Sequence, residues 1–195
     1  MKTLLNTFTI VTLALFFNSC ASSPPPKKAE PEKKTPVRKE SVAISSNASL
    51  AKQILKHPKI ILRRNQVSGR SDGASSYDSI SQVSRGYRAK RSSYGNAKGG
   101  YTTLDKGMLE AMLYLANVKG YSYRVSSIAG GSHSPNSRHN AGLAFDVNYI
   151  NGVKVNSSNP YYKEFMRVAR AKGATEVLGP GYKGHSGHVH MAWPR

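Results

Sequence analysis

Five of the chain's six histidines, His133, His139, His185, His188 and His190, fall between residues 133 and 190. Among them lies Asp146, one of only ten acidic side chains, inside the apolar run Leu143-Ala144-Phe145-Asp146-Val147. Imidazole nitrogens and carboxylate oxygens are zinc donors, and a catalytic zinc is held by three of them with a fourth position left for water. His188-Val189-His190 reads as a strand, where alternate side chains share a face, so both imidazoles look into one cavity while Val189 and Met191 face away. The same alternation buries Leu143, Phe145 and Val147 and turns Asp146 to the side of Ala144, whose small side chain leaves room beside the carboxylate. Gly142 lets the preceding loop, which carries His139, approach closely. His139, Asp146 and His190 are the expected ligands, which leaves His188 free for proton chemistry. His133 and His185 sit in Gly/Ser-rich loops as candidates for substrate binding or for orienting a ligand. Glu176 is the alternative general base to test.

The elements that must carry these residues are legible in part. A short helix capped by Ser49 is expected through Leu50, Ile54 and Leu55, stopped by Pro58, with a short strand at 59–62. Leu104, Met108, Leu109, Met112, Leu113 and Leu115 recur at helical spacing behind a Thr103 cap, up to Lys119-Gly120. Strands are expected at 121–128 and 143–150, with Asn151-Gly152 as a two-residue hairpin turn leading to 153–155. Asn159-Pro160 opens a helix through Phe165 and Val168 that Gly173 closes. Short strands near 175–178 and 188–193 finish the chain. Few strands, a hairpin and helices that do not strictly alternate with strands indicate an α+β fold, a small antiparallel sheet with flanking helices.

At Ser137-Arg138-His139-Asn140-Ala141-Gly142-Leu143-Ala144-Phe145-Asp146, followed by His188-Val189-His190, the chain resembles the zinc D-Ala-D-Ala peptidase family. That family comprises vancomycin-resistance dipeptidases, zinc D-Ala-D-Ala carboxypeptidases and phage peptidoglycan endopeptidases, and shares its fold with the hedgehog signalling domain. The signature Ser-x-His-x-x-Gly-x-Ala-x-Asp is matched at every fixed position, and the resemblance covers about residues 100–195. It implies a hedgehog-like fold, a Zn2+ cofactor held by His139, Asp146 and His190, and peptidoglycan as substrate. It also implies a substrate-side place for Ser137. Some branches carry a catalytic Glu three residues before the last ligand. Position 187 here is Gly, so the His-x-His branch fits and the role beside the scissile bond falls to His188. Many members have Ser-x-x-Arg before the zinc loop, where the arginine meets a terminal carboxylate. This chain has Ser127-Ile128-Ala129-Gly130, so Arg138 and Arg124 are the candidate substitutes, and carboxypeptidase and endopeptidase both stay open. The expected activity is zinc-assisted hydrolysis of peptide bonds in stem peptides or cross-links. The alternative is a non-catalytic, hedgehog-like module that binds peptidoglycan.

The rest of the sequence concerns location and charge. Residues 4–17 form a mostly apolar run of export-signal length, too short and too polar to span a bilayer comfortably. The run ends at Asn18-Ser19-Cys20-Ala21 and resembles a bacterial lipoprotein signal, with cleavage after residue 19 and lipidation of Cys20. As the single cysteine, Cys20 excludes an intrachain disulfide and a Cys-rich zinc module. Residues 20–45, rich in Pro, Lys and Glu, read as an extended tether, and 46–195 as the peptidase domain. An exported, cell-envelope protein held to a membrane by an N-terminal lipid is the expectation. The formal net charge is +19, of which residues 1–40 hold 7 basic and 3 acidic groups. The remainder favours polyanionic partners. A basic Ser/Gly/Tyr-rich region, 63–100, is expected as a solvated loop, because no nucleic-acid-binding motif accompanies its charge. Peptidoglycan, and not nucleic acid, is the expected partner.

Overall fold

The computed structural model describes residues 37–195, with side chains from residue 46 onward. The signal segment, Cys20 and most of the tether lie outside the described residues. Four helices and eight strands follow in the order α1 (Val37–Lys56), β1 (Ile60–Leu62), α2 (Ser76–Ser84), β2 (Ala89–Lys90), β3 (Tyr101–Thr102), α3 (Lys106–Asn117), β4 (Tyr123–Ser127), β5 (Ala144–Ile150), β6 (Val153–Lys154), α4 (Tyr162–Ala171), β7 (Glu176–Leu178) and β8 (Val189–Ala192). The architecture is α+β. No helix among the described residues is long and apolar enough to cross a membrane.

The main sheet runs β1-β4-β5-β8-β7, with β6 paired to β5 as a hairpin arm. It is mixed, which corrects the expected antiparallel sheet: β1 runs parallel to β4, with Ile60 opposite Tyr123 and Leu62 opposite Val125. A parallel pair needs a long crossover connection. Here that connection is everything from α2 to α3, so the pairing spans some sixty residues and leaves no local trace in the sequence.

Several elements differ from expectation at their starts. Helix α1 begins at Val37, not behind Ser49, and takes in 37–45, the end of the segment read as tether. The region expected as a solvated loop contains α2, opened by a capping box in which the Ser75 hydroxyl accepts from the Asp78 amide and the Asp78 carboxylate accepts from the Ser75 amide, followed by the β2–β3 hairpin. Of the nine residues in α2 only Ile80 and Val83 are large and apolar, too few for helical periodicity to show. Helix α3 is capped by Asp105, whose carboxylate accepts from the Met108 amide at 2.7 Å, two residues later than the Thr103 expected.

The core lies between the sheet and the helices. Helix α3 buries Met108, Leu109, Met112 and Leu115, and the Tyr123 hydroxyl of β4 donates to the Met112 carbonyl at 2.6 Å. Helix α4 sets Phe165 edge-on to Tyr121 and Tyr123. This helix starts at Tyr162 with Tyr161 at the N-cap and no side-chain cap bond, not with Asn159 as cap and Pro160 in the first turn. Asn159 instead sits in the turn before it, its side-chain oxygen accepting from the Tyr161 and Tyr162 amides at 2.8 and 3.1 Å. On β5 and β8 the residues Phe145, Val147, Val189 and Met191 are wholly buried. Alternation along those strands puts Ala144, Asp146 and His190 on the opposite face.

Candidate metal centre

Strand register assembles the centre. Asp146 of β5 lies directly opposite His190 of β8, and Ser127 of β4 lies on the other side of Asp146. Residues paired across neighbouring antiparallel strands share a face at about 4.5–5.5 Å between Cβ atoms, close enough for the two side chains to meet. They do: His190 Nδ1 is 2.9 Å from Asp146 Oδ1.

The third group comes from a loop fixed by its own backbone bonds. Ser137 N donates to Ser134 O at 2.9 Å, and Gly142 N to His139 O at 2.9 Å. Gly142 adopts a positive φ of 75°, and a Cβ there would run into the Thr103 carbonyl. The tight approach expected of this residue is therefore to the chain just before α3. His139 is aimed by its Nδ1–H, which donates to the Ile128 carbonyl at 2.6 Å. That leaves Nε2 3.1 Å from His190 Nδ1 and 3.2 Å from Asp146 Oδ1.

His139, Asp146 and His190 are 2, 8 and 7% exposed. In a tetrahedral zinc site with bonds of about 2.0–2.1 Å, neighbouring donor atoms stand about 3.3 Å apart. The donor separations here, 2.9 to 3.2 Å, have that spacing. The chemistry of the set fits as well. Glu176 Oε1 lies 3.1 Å from His190 Nε2, so with Nε2–H donated to Glu176 the Nδ1 lone pair is turned toward the cluster. A carboxylate or carbonyl behind each imidazole is the usual support of a histidine ligand. Glu176 is thus seated behind His190.

Electrostatics bind the three groups together. Burial alone would raise the Asp146 pKa, but His139 and His190 outweigh it and hold the carboxyl well below the usual range. Burial would lower the His139 pKa, and the adjacent Asp146 charge raises it instead.

His133 stacks on His139 with ring centroids 4.0 Å apart and planes 9° from parallel. His133, His139 and Asp146 each offer a donor atom within 4.8 Å of the others, a group that could hold a metal ion. The His133 Nε2, however, faces the Gly130 carbonyl at 3.1 Å and the Ser127 hydroxyl at 3.2 Å. Burial, reinforced by His139, pushes its pKa down to about 4.

The centre opens into a cleft of about 930 Å³ lined by Ser137, Arg138, His133, His185, His188 and the three buried groups. His188 stands just before β8, its ring 4.9 Å from that of His185, and burial lowers its pKa. His185 is held by the Lys183 carbonyl through Nδ1 at 2.8 Å. The Ser137 hydroxyl accepts from the His139 amide at 3.2 Å, and Arg138 Nη1 donates to the Trp193 carbonyl at 3.2 Å. Arg124 is not brought to the cleft; it bonds Asn148 at 3.0 Å and lies over the Tyr149 ring. Sequence reasoning missed Lys154, which lines the cleft from β6, and Gln66, Ser68 and Tyr94, which line it from the basic region. For Lys154 the hairpin signal was available, since Asn151-Gly152 folds β6 back along β5. For the others no periodic signal existed.

No protein-family model matches the chain, and no solved structure matches it. Among curated proteins it is similar to a zinc D-Ala-D-Ala carboxypeptidase of Streptomyces albus G, 37% identical over 67 residues. Those residues are 34% of this chain and 22% of the length of that relative. This likeness, together with a buried histidine–aspartate group that could bind a metal, supports a zinc peptidase in general.

Proposed function

We propose that the chain is a zinc-dependent peptidoglycan peptidase that hydrolyses peptide bonds of stem peptides or cross-links, of the carboxypeptidase or endopeptidase type. One observation carries the reading: His139 Nε2, Asp146 Oδ1 and His190 Nδ1 lie within 3.2 Å of one another in a buried site at the floor of a large cleft. These three would hold the metal. Bound zinc supplies a Lewis acid for the scissile carbonyl and lowers the pKa of the attacking water.

The protein's own groups do the rest. Ile128 O and Glu176 orient the two imidazoles, and Asp146 compensates them electrically. His188 lines the cleft, and among the described residues no hydrogen bond or ion pair fixes its ring. It is therefore free to take a proton from the nucleophile and pass it to the leaving amine. Ser137, Arg138, His133 and His185 line the surface against which a peptide lies. With Arg124 withdrawn onto Tyr149, Arg138 and Lys154 are the permanent cations of the cleft lining, and a substrate carboxylate would meet one of them. The address belongs to the same proposal: an exported domain, lipid-anchored through Cys20 at the cell envelope.

Digestion of muropeptides followed by mass spectrometry tests the function and names the bond. The His188→Ala variant should retain zinc and fold while losing cleavage. Retained binding to sacculi without zinc and without cleavage would favour the non-catalytic binding module, for which the basic surface is the supporting feature.

A further inference from the structure

The basic region 63–100 lies outside the stretch that carries the signature, yet it grips the metal centre from behind. The loop 128–133 supplies the carbonyls that set two imidazoles: Ile128 O for His139 at 2.6 Å and Gly130 O for His133 at 3.1 Å. Loop carbonyls orient a ring only as well as the loop itself is held. Three contacts from the basic region hold it. The Ser92 hydroxyl accepts from the Gly131 amide at 2.9 Å. Ser132 Oγ accepts from the Asn96 amide at 3.1 Å. Gly130 packs so closely on Gln66 and Ala74 that a Cβ there would run into the Ala74 carbonyl and the Gln66 amide.

Ser92 and Gln66 are themselves 1 and 2% exposed. The Gln66 side-chain amide donates to Ser92 Oγ at 3.3 Å and to Asp72 Oδ1 at 3.0 Å. Asp72 Oδ1 also accepts from the Ala74 amide at 3.1 Å, which ties the network to the segment under Gly130. Buried polar groups linked in this way rigidify what they touch, because any displacement leaves donors unsatisfied. The chain of bonds runs from Asp72 through Gln66 and Ser92 to Gly131, and from its loop to the imidazoles.

We infer that Ser92 and Gln66 are positioning residues of the metal centre, supplied by the basic region, which fix the 128–133 loop and through it the orientation of His139. The inference rests on the zinc reading above. It assigns the region a function beyond charge: it completes the support of the centre.

The test compares Ser92→Ala and Gln66→Ala with Ser76→Ala in the full domain. Ser76 is equally buried at 1%, and its hydroxyl bonds Val125 O at 2.9 Å without touching the loop, so it controls for loss of stability alone. Zn2+ affinity is read by competition with a chromophoric chelator, and ligand geometry by the visible spectrum of the Co2+-loaded protein. Loss of outer support typically weakens metal binding about 10–100-fold. Ser92→Ala should weaken Zn2+ binding by about 10-fold or more and alter the Co2+ spectrum, with Gln66→Ala acting in the same direction, while Ser76→Ala leaves both unchanged. Folded Ser92→Ala and Gln66→Ala proteins with wild-type Zn2+ affinity and an unchanged Co2+ spectrum would overturn the inference and leave the zinc reading standing. A wild-type protein that takes up no zinc would overturn the zinc reading, and the inference with it.

Discussion

At the scale of single residues, the centre is three donors that need one another. Replacing Asp146 by Ala removes one donor and the charge that balances two imidazoles, so zinc content should fall below stoichiometric and cleavage should be lost, as elemental analysis and digestion assays will show. Glu176→Gln should be milder. It removes the carboxylate behind His190 but keeps an acceptor oxygen, and the expected outcome is a zinc affinity reduced by about 10-fold, measured by chelator competition. A pH signature follows for the metal-free protein. His133 is held near a pKa of 4 in the fold against about 6.5 when unfolded. Its contribution is complete above 6.5 and is lost as pH falls toward 4, a change of about 3 kcal/mol. The raised pKa of His139 acts oppositely, with a contribution complete below 6.5 that fades as pH rises through its folded value. Thermal melts in the presence of chelator should therefore peak near pH 6.5 and decline on both sides. A melting temperature that climbs steadily from pH 6.5 to 8 would contradict the assignment of His139. The cluster itself was legible, because strand alternation decides which side chains share a face. His133 and Glu176 were legible as residues but not as neighbours of His139 and His190, since ring stacking and loop closure depend on contacts between distant segments.

At the scale of elements, Gly142 joins two of them. It seats the His139 loop against the chain before α3, and Asp105 N donates to Gly142 O at 2.9 Å across the same junction. Gly142→Ala meets both a positive φ and the Thr103 carbonyl. It should cost at least about 2 kcal/mol of stability and weaken zinc binding, which melting and chelator competition will read in parallel. Asp105→Ala removes only the cap of α3 and should cost about 1 kcal/mol with zinc affinity unchanged. The elements with strong periodicity, α3 and α4, and those with turn or alternation signals, β4 to β6 and β8, could be read in advance to within a few residues. Helix α2 could not, because Ser76, Ser79 and Ser84 share its buried face with only Ile80 and Val83, and two apolar residues are too few to show a helical period. The parallel β1–β4 pair is likewise invisible locally, since its register is set by a crossover and not by a turn.

At the scale of the whole molecule, the basic excess has two roles. The segment with the most unusual composition, 63–100, walls the cleft and backs the metal loop, while two of its exposed arginines lie over tyrosines, Arg64 over Tyr77 at 3.8 Å and Arg70 over Tyr94 at 4.7 Å. A surface so short of carboxylates should hold an anionic wall by long-range attraction, which salt screens within about 10 Å at 0.1 M. Retention on sacculi should accordingly fall steeply between low and moderate NaCl. Cleavage of small, soluble muropeptides should change little over the same range. The most direct test of zinc-dependent peptidoglycan hydrolysis is mass spectrometry of purified muropeptides incubated with the wild-type domain, with the domain stripped by chelator, and with the stripped domain given back one equivalent of Zn2+. Loss of a terminal residue or opening of a cross-link in the first and third samples, and none in the second, is the expected result. Identical muropeptide masses in all three would contradict it.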